Sequence, residues 1–220
     1  PPTAWPSAFA QMDAVLGDLD VGAIKTGMLA TVDIVTAVAN RLAAGPQLPL
    51  VVDPVMVATS GDALIAPDAV EAVKRALVPL ASLITPNLPE AARLLDTGEA
   101  TTEADIVAQA KALHALGCRA VLIKGGHGTG DSAVDHLYDG VRLERFVRPR
   151  VDTRHTHGTG CTLAAAITAL LALGVALPEA VGRAKSFVWQ GLQAGRDLGV
   201  GHGSGPVDTL FAIRRSDPPA

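Results

Sequence analysis

The chain has 220 residues, of which 49% are hydrophobic and 18% charged, and its formal net charge is −4. This length and composition suit one domain with a sizeable core. The pI near 5.8 and the lack of a dense Lys/Arg cluster argue against a nucleic-acid-binding protein. No apolar run is long enough to cross a membrane, and the first residues show no signal-peptide pattern. Two cysteines argue against a disulfide scaffold and favour a cytoplasmic location.

Short apolar strands alternate with longer helical stretches along the chain. The predicted strands and helices, in chain order, are strand 23–27, helix 31–44, strand 48–52, helix 68–77, strand 82–85, helix 104–116, strand 121–123 and helices 161–173 and 178–198. Residues before 23 are predicted to form the helix that precedes the first of these strands. This order predicts an α/β fold with a mostly parallel central sheet and helices on both faces.

Two runs of alternating polarity break this pattern, at residues 133–138 and 141–147. Asp139 and Gly140 lie between them, and this dipeptide is a strong signal for a tight turn. The sequence therefore predicts a β-hairpin after the strand at 121–123.

Polar and glycine-rich segments directly follow the predicted strands. They are Gly27 and Met28, Asp53 and Pro54, Thr85 to Asn87, and Lys124 to Gly126. Ligands of open parallel sheets bind outside the carboxyl ends of the strands, so these loops are expected to converge on one cleft.

The strongest motif covers residues 152–162, with the sequence DTRHTHGTGCT. Its glycines allow backbone amides to face one point, and the helix that follows adds the positive end of its dipole. Such a turn favours a phosphate or a developing negative charge. The same position favours the thiolate form of Cys161. The alternative is a tight structural turn in which Cys161 is a small packing residue.

Residues 85–90, with the sequence TPNLPE, form the second motif. Asn87 and Glu90 would share one face of a starting helix, where a carboxylate can hold Mg²⁺. The alternative, given equal weight, is a capping box in which Asn87 caps the helix and Glu90 closes it.

Three further residues are weaker candidates when each is taken alone. Asp53 at a strand end can serve Mg²⁺ or a phosphate-bound water, or it can simply form a turn before a proline. Lys124, followed by two glycines, can meet nucleotide phosphates or mark an ordinary turn. Met28 can line a flat apolar substrate, although a lone Met is more typical of a core. No Walker A motif is present, so ATP binding requires a different loop.

Together these motifs resemble the hydroxymethylpyrimidine and phosphomethylpyrimidine kinases of thiamine biosynthesis, in the ribokinase-like superfamily. The matching segments are residues 24–29, 53–58, 60–62, 85–90, 121–127, 152–162 and 199–203. The turn ends in Cys161, where sugar kinases of the superfamily have an aspartate, and this points to the pyrimidine branch.

The resemblance implies a ribokinase-like α/β fold, ATP with Mg²⁺, and a homodimer. It implies two successive phosphorylations of 4-amino-5-hydroxymethyl-2-methylpyrimidine, first on the hydroxyl and then on the phosphate. By the same resemblance the site residues are Cys161 as general base; Gly158, Thr159 and Gly160 as anion hole; Lys124, Gly126, Thr85 and Asn87 at the nucleotide; Met28 and Val55 at the pyrimidine; and Asp53 and Glu90 at Mg²⁺.

The sequence departs from the family pattern at its start. The family begins with a strand and a glycine-rich substrate loop that this sequence does not contain, so residues 1–220 are expected to form one ribokinase-like domain without them. Either an N-terminal part precedes residue 1, or the protein is a truncated relative. Two alternative functions also stay open. One is a pyridoxal or pyridoxine kinase, although those relatives usually end the glycine turn in Asp. The other is a truncated relative that binds ligand without turnover.

Overall fold

One mixed sheet forms the centre of the protein. The computed structural model describes residues 4–56, 64–126, 130–199 and 202–214. Within them, six strands lie in the order β1-β2-β3-β4-β5-β6. These strands are β1 Ile24–Thr26, β2 Leu50–Val52, β3 Leu83–Ile84, β4 Val121–Ile123, β5 Ser132–Tyr138 and β6 Leu143–Pro149. β1 to β4 are parallel, whereas β5 and β6 run antiparallel to their neighbours.

Helices cover both faces of this sheet, as the sequence predicts. The α-helices of the described residues are α1 Ala4–Asp18, α2 Val32–Ala43, α3 Pro67–Ala72, α4 Leu88–Leu95, α5 Glu103–His114, α6 Thr159–Ala172, α7 Leu177–Gly195 and α8 Phe211–Arg214. In the part of the chain that the structure describes, none of them has the length and apolar character to span a bilayer.

Strand alternation divides the buried side chains into two cores. Leu50 and Val52 point to one face, where they pack with α2, α3, α4 and α5. Val51, Leu83 and Leu122 point to the other face, where they pack with α6 and α7. β2, β3 and β4 are apolar on both faces because each face is covered by helices.

The helix predicted at residues 68–77 is α-helical only to Ala72. Val73–Leu77 then form a π-helical turn, and Val78–Leu80 form a 3₁₀ turn. Pro79 lacks an N–H and cannot donate the next helical hydrogen bond, so the helix loosens and ends before β3.

The predicted hairpin is confirmed. β5 and β6 pair along their full length, with Tyr138 opposite Leu143. Gly140 has a φ of +94°, a conformation that glycine adopts without strain. The Asp139 carboxylate accepts hydrogen bonds from the amides of Val141 at 2.9 Å and Arg142 at 2.6 Å, which fixes the turn.

The fold brings three polar side chains to one edge of the sheet. Asp53, Thr85 and Lys124 each lie two positions beyond a strand residue that packs on α6 and α7. Their backbone amides continue the sheet ladder, donating to the carbonyls of Thr26, Val52 and Pro86. The three side chains therefore emerge on the α6 face, where α6 begins.

Candidate active site

Asp53 lies at the centre of this edge, with its carboxylate buried. The Lys124 ammonium lies 2.9 Å from its Oδ1 atom. The Thr85 hydroxyl donates a hydrogen bond to the same oxygen at 3.1 Å. Residues that follow β2, β3 and β4 thus meet at one carboxylate.

Glu90 joins this cluster from α4, where it closes the predicted capping box; its predicted role at Mg²⁺ stays a prediction. Asn87 Oδ1 accepts from the Glu90 amide, and Glu90 Oε2 accepts from the Asn87 amide, both at 2.8 Å, so the capping box is confirmed. The same Oε2 atom lies 3.7 Å from Lys124 Nζ. The cap therefore holds a buried carboxylate beside Lys124. We call Asp53, Glu90 and Lys124 the carboxylate–lysine cluster.

Burial and charge set the protonation of this cluster. Burial raises the pKa of Glu90 above its usual value, while the nearby Lys124 charge opposes that shift. Burial also acts to lower the pKa of Lys124, but the carboxylates of Asp53 and Glu90 outweigh it and the pKa is raised. Lys124 is therefore a fixed positive charge at neutral pH.

The predicted glycine turn lies directly over Lys124. Gly158 occupies the N-cap position of α6 with a φ of +79°, and Thr159 donates its hydroxyl hydrogen to the Thr156 carbonyl at 2.7 Å. A Cβ atom on Gly160 would lie 3.2 Å from Lys124 Nζ. Cys161 is an exposed free thiol in the first turn of the helix. The glycine at 160 thus permits close approach of the turn to the ammonium.

Gly205 and Val207, which lie outside every sequence motif, hold this turn in place. His155 is buried, and its Nδ1 atom accepts a hydrogen bond from the Gly205 amide at 2.9 Å. The His157 amide donates to the Gly205 carbonyl, and the Val207 amide donates to the His157 carbonyl, both at 3.1 Å. The only sequence signal for this contact is the glycine-rich segment after residue 198.

Lys25 is a further site residue that sequence reasoning missed. Its Nζ atom lies 3.8 Å from Asp53 Oδ2, and its side chain is only 23% exposed. Asp53 Oδ2 itself is buried and has no hydrogen-bond partner among the described residues. The available signal was a charged residue inside an otherwise apolar strand.

The remaining predicted residues lie on the loops at the same edge. Met28 is exposed after β1. Val55 follows Asp53 in a turn closed by its own amide, and Gly126 follows Lys124, with its carbonyl accepting from Arg150 at 2.8 Å. Their ligand contacts stay predictions. The family-like segment at residues 57–62, with His127 and Gly201, lies outside the described residues.

The donor set of the carboxylate–lysine cluster fits Mg²⁺. Two carboxylates supply hard oxygen atoms, and Asp53 Oδ2 is buried without a hydrogen-bond donor. Within the described ranges no group of three or more His, Cys, Asp or Glu side chains gathers around one point. A cation here would take its other ligands from phosphates and water, as Mg²⁺ usually does.

Comparison with known proteins places this geometry in a family. The family profile described as phosphomethylpyrimidine kinase matches residues 6–208. A hydroxymethylpyrimidine/phosphomethylpyrimidine kinase from Rhizobium meliloti strain 1021 is 50% identical over 198 residues, which are 90% of this chain and 74% of the relative.

Solved structures agree with this match. The ADP complex of Bacillus subtilis pyridoxal kinase superimposes with a TM-score of 0.87 at 36% identity, covering 97% of this chain and 83% of that one. A phosphomethylpyrimidine kinase from Clostridium difficile 630 gives 0.71 at 36% identity, covering 82% and 73%. The chain belongs to the phosphomethylpyrimidine kinase family, with its ribokinase-like fold.

Proposed function

We propose that this chain is a hydroxymethylpyrimidine and phosphomethylpyrimidine kinase of thiamine diphosphate biosynthesis. It transfers phosphate from ATP to the hydroxyl of 4-amino-5-hydroxymethyl-2-methylpyrimidine and then to the resulting monophosphate. The observation that carries this function is the position of Lys124, whose ammonium lies against the carboxylates of Asp53 and Glu90 and beneath the Gly160 turn. The family match and the relative named for this activity support the choice of substrate.

The site has the parts that phosphoryl transfer requires, namely positioning and neutralisation of charge. Lys124 supplies a fixed positive charge, because the two carboxylates keep it protonated. The backbone amides of Gly158, Gly160 and Cys161 are the proposed donors at the start of α6, whereas the Thr159 amide donates to the Thr156 carbonyl at 3.2 Å. Asp53 and Glu90 are the residues that would hold Mg²⁺, which neutralises phosphate charge when bound.

The proposed contacts to the two ligands divide along the order of the strands. Thr85, Asn87, Lys124 and Gly126 follow β3 and β4, and they form the proposed nucleotide side. Met28 and Val55 follow β1 and β2, and they form the proposed pyrimidine side. Since β2 and β3 are neighbours, the proposed pyrimidine side and the proposed nucleotide side are adjacent along one sheet edge.

Cys161 is the proposed general base for the first phosphorylation. Its thiol is exposed at the start of α6, within the turn that would bind the transferred phosphoryl group. An alcohol must lose a proton as it attacks phosphorus, and a positioned base assists that loss. The Cys161 sulfur would act as a thiolate, and it would take the proton of the hydroxymethyl group to become the thiol.

Pyridoxal phosphorylation is the second candidate function, because a pyridoxal kinase superimposes well on this chain. Its identity to this chain is 36%, against 50% for the pyrimidine kinase relative. A solved phosphomethylpyrimidine kinase has the same 36% identity, so the two solved structures do not separate the substrates. The family match and the relative at 50% identity favour the pyrimidine.

An ADP-release assay with each alcohol as the acceptor tests this proposal. We expect turnover with hydroxymethylpyrimidine and its monophosphate, and far slower turnover with pyridoxal. Lys124→Met is expected to abolish nearly all ADP release, whereas Lys111→Met, an exposed lysine on α5, is the matched control. Turnover of pyridoxal alone would assign the second function, and nucleotide binding without turnover of either alcohol would indicate a binding protein.

A further inference from the structure

A buried ion pair lies behind the loop that carries Lys124. Lys185 on α7 and Asp135 on β5 are only 8% and 5% exposed. Lys185 Nζ lies 2.7 Å from Asp135 Oδ2. Removing two charges from water is costly, and apolar residues of similar volume often fill such a position at no loss of stability. Stability alone therefore does not explain why two charged residues occupy this buried position.

The second oxygen of Asp135 reaches the loop backbone. Asp135 Oδ1 accepts a hydrogen bond from the Gly125 amide at 3.0 Å. A hydrogen bond to an ionised carboxylate is shorter and stronger than one to a neutral acceptor. Lys185 thus orients a carboxylate that in turn holds the residue next to Lys124.

The loop has little freedom elsewhere. A Cβ atom on Gly125 would overlap the Val134 carbonyl oxygen, so the backbone lies directly against β5. On its other side the Lys124 amide donates to the Pro86 carbonyl at 2.8 Å. Through Asp135, Lys185 on α7 is linked to the Gly125 amide of this loop.

We propose that Lys185 and Asp135 are positioning residues for nucleotide binding. Lys185 fixes the Asp135 carboxylate, which fixes the Gly125 amide and so the places of Lys124 and Gly126 toward the nucleotide phosphates. This inference rests on the proposed nucleotide side of the site. It assigns a role to two buried residues that themselves need not touch ATP.

The decisive variant is the double substitution Asp135→Leu with Lys185→Met. It removes both charges together, so no uncompensated buried charge remains and the fold is retained. The Gly125 amide, however, loses its acceptor. We expect the Kd for the ATP analogue AMP-PCP, measured by calorimetry, to rise at least about tenfold, a loss consistent with one charge-assisted hydrogen bond. The KM for hydroxymethylpyrimidine should change much less than the KM for ATP.

Three comparisons make the result unambiguous. Leu113→Ala, a fully buried core change on α5, lowers stability without touching the loop and should leave the AMP-PCP affinity unchanged. Lys185→Arg keeps the charge and should retain more affinity than Lys185→Met. If the double variant folds and binds AMP-PCP as tightly as the wild type does, the proposal is wrong. If the double variant does not fold, equal AMP-PCP affinities of Lys185→Arg and Lys185→Met would also overturn it.

The failure of this inference can be told apart from failure of the proposed function. If wild-type protein binds AMP-PCP and Lys124→Met weakens that binding, the nucleotide side stands whatever the double variant does. If Lys124→Met binds as the wild type does, the nucleotide side itself is misplaced.

Discussion

At the residue scale, the proposed task of Cys161 differs between the two phosphorylations. The first acceptor is an alcohol that must lose a proton. The second acceptor is a phosphate monoester that is already largely ionised at neutral pH, since its second pKa is about 6. Only the first step therefore needs a base at the exposed thiol of the glycine turn.

Cys161→Ala should slow the first phosphorylation by roughly 100-fold or more, the usual contribution of a general base, and the second step much less. Rates of monophosphate and diphosphate formation, measured separately from each starting compound, check this. Cys161→Ser is the matched variant, because it keeps a polar group of similar size. Equal loss in both steps would make Cys161 a positioning residue.

Glu90 combines two tasks that a single substitution can separate. Glu90→Gln keeps a side-chain oxygen for the Asn87 amide, so the capping box survives. The charge beside Lys124 is lost. We expect kcat to fall by roughly 100-fold, the scale of losing one preorganised electrostatic group. Unchanged activity would show that Glu90 serves only to close the capping box with Asn87.

The same variant has a defined pH signature. Burial raises the pKa of Glu90 in the folded protein, so its favourable contribution to stability is complete below the unfolded-state pKa and is lost as pH rises through the folded-state pKa. Glu90→Gln should therefore unfold at a higher temperature than wild type at pH 8, with the difference shrinking toward pH 4. A Tm difference that grows on acidification would contradict the burial argument.

At the element scale, the loop after β4 is defined by how closely it lies on β5. Gly125 has no room for a side chain against the Val134 carbonyl, whereas a Cβ atom on Gly126 meets nothing within 4 Å. The surroundings of Gly125 and Gly126 therefore differ, although the two glycines are adjacent in the chain. The first is required by packing, and the second leaves space where the nucleotide is proposed to bind.

Gly125→Ala should lower the free energy of unfolding by roughly 3 kcal/mol, the upper range for overpacking, because a backbone carbonyl cannot move aside. Gly126→Ala should change it by less than about 0.5 kcal/mol, as is usual for surface changes. Chemical denaturation of the two variants measures the contrast. Similar losses in both would show that the loop readily moves away from β5.

At the scale of the whole molecule, the two cysteines report on different parts of the structure. Cys118 lies in the core between α5 and β4, 2% exposed, and burial raises the pKa of its thiol to about 11. Cys161 is exposed at the active-site edge. A thiol-specific reagent should therefore react with the exposed Cys161 well before the buried Cys118.

A thiol reagent at pH 7.5 should label one cysteine per chain rapidly, and that residue should be Cys161. Labelling of Cys118 should begin only over the denaturant range in which circular dichroism shows global unfolding. Mass spectrometry of digested protein identifies the site. Fast labelling of both thiols in native buffer would show that the core opens locally around β4.

Much of this architecture follows from local patterns in the sequence. Strand and helix periodicity predicted the alternating elements. The polar segments after the strands predicted a cluster at the carboxyl edge, because parallel strands end at the same edge of a sheet. The hairpin and the capping box were also predictable, since each is a contact between residues a few positions apart. The glycine turn, together with the other motifs, carried the family resemblance, because each motif is a short run of consecutive residues.

Contacts between distant residues were decided by the tertiary structure alone. Lys124 and Asp53 lie 71 residues apart in the chain, and His155 and Gly205 lie 50 apart. The ion pair of Lys185 with Asp135, and the approach of Lys25 to Asp53, likewise join separate elements. The periodicity of the sequence does not predict such pairs, because they depend on which strands become neighbours and on which helix covers those strands. The sequence alone thus determined the kinds of side chain at the site, and the folding of the sheet determined which of them meet.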